Sequence, residues 1–349
     1  MVIYLFKIII FGGFMKHILT LFCIVILSVF IISSCSKKMD VSEPKSEIGS
    51  VNDGEIPTPI PTPIPVSSTA FLKVDEWGAP GDEDGNFNAP EGIIADSVDN
   101  IYIVDKGNNR IQKFTSNGVF VRKWGTAGNG NGEFDAPTGI AADSSNNIYV
   151  ADTGNNRIQK FTQDGVYVAQ WGTEGTGDTQ FNGPVDVAID GNDNVYISDG
   201  SNARILKYTT EGVFVTKWES ESTGHPQFSA LNKRLAINKN NNNVYVSCEQ
   251  YAYIINPDGA LPVNPVWLGS SESIGCDSDG NVVQVISNSL IFKDFSGEQV
   301  IYMFNDCFSC ENQSFNGLQD VAFDSQGNMY LTDYHTGYNI SRVLRYDKQ

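Results

Sequence analysis

The sequence is poor in the residues from which most active sites are built. It holds three histidines in 349 residues, and only His225 and His335 follow residue 35. Both stand in loop-like text, so neither a Ser-His-Asp relay nor a multi-histidine zinc site can be assembled. Basic residues are scarce as well: 23 Lys and Arg face 41 Asp and Glu, a formal charge of −18. Such a field repels phosphate backbones and excludes a nucleic-acid partner, while favouring solubility and neutral or basic partners. No glycine-rich loop leads into a helix, so no phosphate cradle is present.

What the chain has is repetition. Asn147 to Phe161 reads Asn-Ile-Tyr-Val-Ala-Asp-Thr-Gly-Asn-Asn-Arg-Ile-Gln-Lys-Phe, and Asn100 to Phe114 is nearly the same text. Asn194 to Tyr208 repeats it with Asp199 and Arg204. Trp77, Trp124, Trp171 and Trp218 recur every 47 residues. In the second repeat, Gly139 to Ala142, Ile148 to Asp152, Arg157 to Phe161 and Gly165 to Trp171 read as strands, parted by Gly and Asn turns. Four strands in each repeat of this length predict a propeller blade.

Tyr102, Tyr149, Tyr196, Tyr245, Val283 and Tyr330 mark six second strands, hence six blades. The sixth lacks an outer strand before the chain ends. Phe71 to Gly78 has the text of a fourth strand and is expected to complete it, closing the ring and leaving no long exposed edge. The fold class is therefore all-β: a six-bladed propeller of four-stranded blades over residues 70–349.

Phe-x-x-Pro-x-Gly-Ile-x-x-Asp, then Asn-Ile-Tyr-Val-x-Asp, then Asn-x-Arg-Ile-x-x-Phe resembles the NHL repeat. The resemblance is strong in the first three blades. It persists in the sixth through Phe315, Asp324, Asn328, Tyr330, Asp333 and Arg342. It fades in the fourth and fifth, where Leu231 replaces Pro and Cys248 replaces Asp. Animal proteins of this family bind RNA or carry ubiquitin-ligase modules. The charge opposes the first role, and the absence of a RING zinc pattern opposes the second.

The front of the chain reads differently. Residues 1–34 form an apolar, signal-like segment, which either starts at Met15, with Lys16 and His17 ahead of a 15-residue apolar run, or is lengthened by residues 1–14. Ile32-Ser33-Ser34-Cys35 resembles the bacterial lipobox. That resemblance implies cleavage before Cys35, a diacylglycerol on its sulfur and an acyl chain, such as palmitate, on its amine. Ser36 after the cysteine resembles outer-membrane sorting in a Gram-negative host. Residues 35–69 are the lipidated cysteine and a tether rich in alternating proline, which favours extended polyproline II. Fully extended, it reaches about 100 Å.

Asp105, Asp152, Asp199 and Asp333 close the second strands, and Arg110, Arg157, Arg204 and Arg342 open the third. A residue needed once per blade is structural, so these pairs are expected to clamp loops rather than do chemistry. The Asp96–Asn100, Asp143–Asn147 and Asp190–Asn194 stretches are expected to be capped turns and not calcium loops. The tryptophans are expected to cover blade edges.

Ligand contact should fall where the repeats differ, just ahead of each innermost strand at the channel mouth. Those positions hold Glu91, Thr138, Asp186, Asn232 with Arg234, and Gln319 with Asp320; the fifth blade's position is near Ser273. No catalytic residue, metal site or cofactor is expected.

Of the cysteines after Cys35, Cys307 and Cys310 are the candidates for a local disulfide, with pairing to Cys248 as the alternative. Cys276 is not expected to bridge Cys248.

These features predict a monomeric, lipid-anchored binding or scaffold protein of the cell envelope, whose partner is an envelope protein or a small ligand. A sensor ectodomain is a second possibility. A third is an enzyme of the kind the resemblance brings: a propeller lyase or lactonase. Its channel calcium ion would be held by Glu91, Asp186 and Asp320.

Overall fold

In the computed structural model, the described residues are 71–219, 234–247, 252–258, 273–277, 279–286, 289–293, 300–305 and 317–348. Cys35, Asn232, Cys248, Cys307 and Cys310 lie outside them, so the lipidation and disulfide expectations are not addressed structurally.

Six antiparallel sheets form the wheel. The first blade runs Pro90–Ala95, Ile101–Asp105, Arg110–Phe114 and Phe120–Trp124, from the channel outward. The second and third repeat this plan. The fourth has three strands among the described residues, and the fifth has four. In the sixth, Leu318–Phe323, Met329–His335 and Ile340–Lys348 are completed on the outside by Phe71–Trp77. The register runs antiparallel from Phe71↔Lys348 to Trp77↔Val343, so the two ends of the wheel meet in one sheet.

The alternation of β-branched and aromatic residues explains the packing. Each second strand is buried on both faces, as Ile101–Asp105, Ile148–Asp152 and Val195–Asp199 show. Its tyrosine reaches out to tie two blades. The Tyr102 hydroxyl donates to Asp96 at 2.9 Å in its own blade and stands 3.3 Å from the Gln163 carbonyl in the next.

The tryptophans do not cover edges as expected; they fill the seams between blades. Trp124 lies edge-on to Tyr102 of its own blade and 6.0 Å from Phe161 of the next. Trp77 does the same with Tyr330 and Phe114. The wedge-shaped gap between twisted sheets needs a large flat ring, and the outermost strand is where that gap is widest.

The repeated polar residues behave as clamps. Asp152 is fully buried and pairs with Arg157 at 2.7 Å. The Arg157 fork also donates to the carbonyls of Asn129, Gly130 and Glu133 in the loop entering its blade. Arg110 and Arg204 hold the corresponding loops. The first turn of five blades is capped by an aspartate, with Asn238 in its place in the fourth: Asp143 Oδ1 accepts from Ser145 and Asn147 backbone N–H groups, and Oδ2 from the Asn147 amide.

In the second blade the link from second to third strand is one turn of 3-10 helix, Thr153–Asn155. Only Asn156 takes the left-handed conformation, with φ of 54°. In the sixth blade this hairpin differs from expectation. Asp333 does not end its strand and Arg342 does not begin one. Nine residues separate them, against five for Asp152 and Arg157. The extra residues add two ladder pairs, Tyr334↔Ser341 and His335↔Ile340.

Candidate functional site

The innermost strands of the first, third and sixth blades each carry a register shift near their start, within Pro90–Ile93, Pro184–Asp186 and Leu318–Asp320. A bulge re-aims the side chains on it. The candidate residues of these blades therefore lie in the strand itself, at the bulge, and not ahead of it. Arg234 immediately precedes Leu235–Asn238, and Ser273 opens Ser273–Cys276, so Ser273 is the fifth blade's position.

Four of the expected residues come together. Arg234, 5% exposed, donates from Nη2 to Glu91 Oε1 at 2.7 Å, and its Nη1 stands 3.9 Å from Asp186 Oδ1. The other Glu91 oxygen meets Lys106 at 2.7 Å. Asp186 accepts from the Val187 N–H of its own strand and the Leu235 N–H of the next blade. Asp320 repeats that arrangement with Val321 and with Ile93 of the first blade, and takes the Ser273 hydroxyl at 2.6 Å. Each aspartate thus stitches its blade to the following one.

Thr138 does similar work with a hydroxyl, donating to the Val185 carbonyl and meeting Thr153 Oγ1 at 2.7 Å. Gln319 stands apart, its amide turned back to the Gly317 carbonyl.

The electrostatics follow from burial. Asp186 is pushed up to about 7. Loss of solvent is the main cause; Arg234 opposes it and the Asp320 charge adds to it. Asp320 is raised for the same first reason. Burial alone would lower Arg234, but Asp186, Glu91 and Asp320 outweigh it and hold the guanidinium above its ordinary value. Arg234 Nη1 is buried without a hydrogen-bond partner among the described residues.

Beyond this polar plug most of the side chains that line the channel are aliphatic. A cavity of about 160 Å³ is lined by Ile93, Val187, Leu235, Ile274 and Val321 from five blades, with Asp186 and Asp320 at one end and Lys239 on its wall. Cys276 lines it as well, a free thiol that burial raises above its usual range.

The description "NHL repeat" matches residues 134–161 and 181–208. These segments hold the clamp pairs Asp152–Arg157 and Asp199–Arg204. The second and third blades are NHL repeats. The NHL clamp spacing also stands in the first blade, Asp105–Arg110 at 2.6 Å.

No curated protein sequence matches the chain. Among solved structures, it is similar to a gluconolactonase from Xanthomonas campestris (TM-score 0.55, 13% identity), covering 81% of this chain and 99% of that one. It is similar to virginiamycin B lyase from Staphylococcus aureus (TM-score 0.52, 15% identity), covering 79% and 88%. It is also similar to a protein of unknown function from Bacteroides thetaiotaomicron (TM-score 0.56, 15% identity), covering 79% and 76%. At such identities the likeness is one of fold alone.

The sequence brought Glu91, Asp186, Arg234 and Asp320 forward as the places where the repeats differ. It pointed to the neighbourhood of Ser273 for the fifth blade and did not show that Lys106 joins them. Lys106 sits where the second and third blades carry Thr153 and Gly200, and that break in the repeat was the available signal.

Proposed function

We propose that the chain is a recognition propeller of the bacterial cell envelope, held there by a lipid on Cys35 and a proline-rich tether, and that it is not a catalyst. One observation carries this reading: the position of Arg234. The guanidinium occupies the centre of the acidic ring, where a divalent cation would have to sit. Both aspartates are already committed to backbone N–H groups of neighbouring blades. Charge that would hold a metal is neutralised by a covalently held cation, as in other buried ion clusters. The unpartnered Nη1 remains as a donor for a neutral oxygen acceptor, a carbonyl or hydroxyl of a ligand or partner entering the mouth.

Calcium titration by calorimetry, with a lactone-hydrolysis assay alongside, tests the non-catalytic part. The wild-type chain is expected to give no calcium heat and no hydrolysis. Tight calcium binding that is lost in Asp186→Ala overturns it in favour of a lactonase-like enzyme. Metabolic labelling with a palmitate analogue tests the anchor: label and membrane association are expected in the wild type and absent in Cys35→Ser.

A further inference from the structure

The channel has a second mouth, on the face opposite Arg234, where the first turn of each blade lies. Neighbouring turns there are clasped to one another. The Ser97 N–H and hydroxyl donate to Asn146 Oδ1 of the next blade; Ser144 does the same to Asp193, and Ser325 of the sixth blade to Asp99 of the first. The Gly191 N–H meets Asn242 Oδ1 of the fourth blade in the same way. Between the fourth and fifth blades this clasp is gone. Lys239 takes the position of the serine, and Gly280 takes that of the acceptor. A Cβ at Gly280 would stand 2.9 Å from the Asn238 amide nitrogen and 3.0 Å from that of Asn240, so the place is closed to a clasping side chain.

Lys239 also differs from the other lysines. Lys73, Lys106, Lys123, Lys160, Lys217 and Lys348 each meet a carboxylate, and Lys113 and Lys207 lie over the rings of Tyr102 and Tyr196. Exposed Lys239 has neither kind of partner among the described residues. It lines a cavity of about 260 Å³ at this mouth and also the aliphatic channel cavity of about 160 Å³. The two share Ala95, Ile237, Lys239, Cys276 and Phe323, and so form one passage. The carboxylates at this mouth are already engaged. Asp96 and Asp324 are buried, and each accepts four hydrogen bonds within its own blade. Asp277 accepts three.

We propose that this passage binds a monocarboxylate with a short aliphatic tail, its head on Lys239 and its tail in the channel. Each part of the ligand answers one observation. The ammonium that lacks a counter-charge calls for a single anionic head. The aliphatic walls call for a tail, and because an apolar cavity of about 150 Å³ takes a benzene ring, about six carbon atoms fill this one. Asp320 and Phe323, at its two ends, are three residues apart on one strand, a depth of about 10 Å. Beyond that depth the plug of Arg234, Asp186 and Asp320 closes the channel. Charge also fixes the direction of entry: a carboxylate turned the other way would sit against Asp186 and Asp320. The site goes beyond the recognition reading above and does not rest on it, since it uses the opposite mouth and a different cation. Failure of one leaves the other standing.

The probes are straight-chain carboxylates from butanoate to decanoate, with hexylamine as the counter-probe. They are titrated into the full chain held in lipid nanodiscs, with discs lacking protein as the blank, and followed by saturation-transfer NMR of the ligand. Hexanoate is expected to bind with a dissociation constant of about 1 mM, its terminal methyl receiving the most saturation. Affinity should rise about fourfold with each added methylene. It should level off at about six carbons, where the cavity is full. Lys239→Met keeps an exposed, unbranched side chain and removes the charge; it is expected to weaken hexanoate about fivefold at an unchanged urea midpoint. The proposal is overturned if hexanoate does not bind, if hexylamine binds as tightly, if affinity goes on rising through decanoate, or if Lys239→Met binds as the wild type does.

Discussion

Arg234 and Glu91 meet across the channel, Nη2 to Oε1 at 2.7 Å, although 143 residues separate them in the chain. The contact joins the fourth blade to the first, so it forms only when the wheel is closed. It neutralises part of an acidic ring that would otherwise repel itself in a buried place.

Arg234→Met should therefore cost more than the loss of one hydrogen bond. It leaves Glu91, Asp186 and Asp320 without their buried cation, and breaking such a cluster on one side costs about 3–5 kcal/mol. Urea unfolding at pH 7.5 is the measurement. The double variant Glu91→Gln with Arg234→Met should recover part of the loss, which a simple cavity effect would not.

Stability should fall as pH rises across the range in which Asp186 titrates. Its carboxyl is raised from 3.8 to about 7 in the folded chain, so the fold binds this proton more tightly than the unfolded chain does. The stabilisation is fully present below about pH 4 and is lost as pH passes through about 7. Asp186→Asn carries no charge at any pH and should lose less stability relative to the wild type at pH 8 than at pH 5, because only the wild-type carboxyl must ionise in a buried place. It should also show a flatter pH dependence of the urea midpoint between those limits.

Arg157→Lys should destabilise by about 2–4 kcal/mol, because an ammonium cannot fork to three carbonyls while also pairing with a fully buried carboxylate. Arg110→Lys and Arg204→Lys should cost similar amounts. Arg342→Lys should cost less, since that side chain is 18% exposed and spends one nitrogen on the outer Glu76. Equal loss at all four, read from thermal or urea unfolding, would contradict the geometry.

Removing Phe71–Trp77 should prevent a stable monomeric wheel. The strand supplies the whole outer ladder of the sixth blade, and buried Phe71 stacks on Phe292 at 5.3 Å. Trimming only to residue 70 should leave circular dichroism and elution volume unchanged; trimming to residue 78 should give aggregation or loss of β signal.

Most of the wheel could be read from the repeated text. The 47-residue spacing, the unpaired final blade and the matching Phe71 segment gave the blade number and its closure, because strand pairing is written in local alternation and turn residues. The clamp role of Asp152 and Arg157 was equally plain, since it recurs in each strong repeat. The tryptophans were misplaced because an outer strand suggests an outer face, whereas blade twist turns the ring into the gap. The ring partners could be listed but not joined: which of Glu91, Asp186 and Asp320 faces Arg234 depends on bulges and on blades far apart in sequence. The longer hairpin from Asp333 to Arg342 could be counted in the text.

Closure by Phe71–Trp77 also has a mechanical meaning. Any tension carried by the chain ahead of residue 71 acts first on the strand that locks the ring. Pulled along its own axis, that strand loads its hydrogen bonds to residues 343–348 all together in shear, and they resist as a set; pulled sideways, they would peel one after another. The direction of pull on the leash, and not its strength alone, decides whether the wheel holds its shape under load.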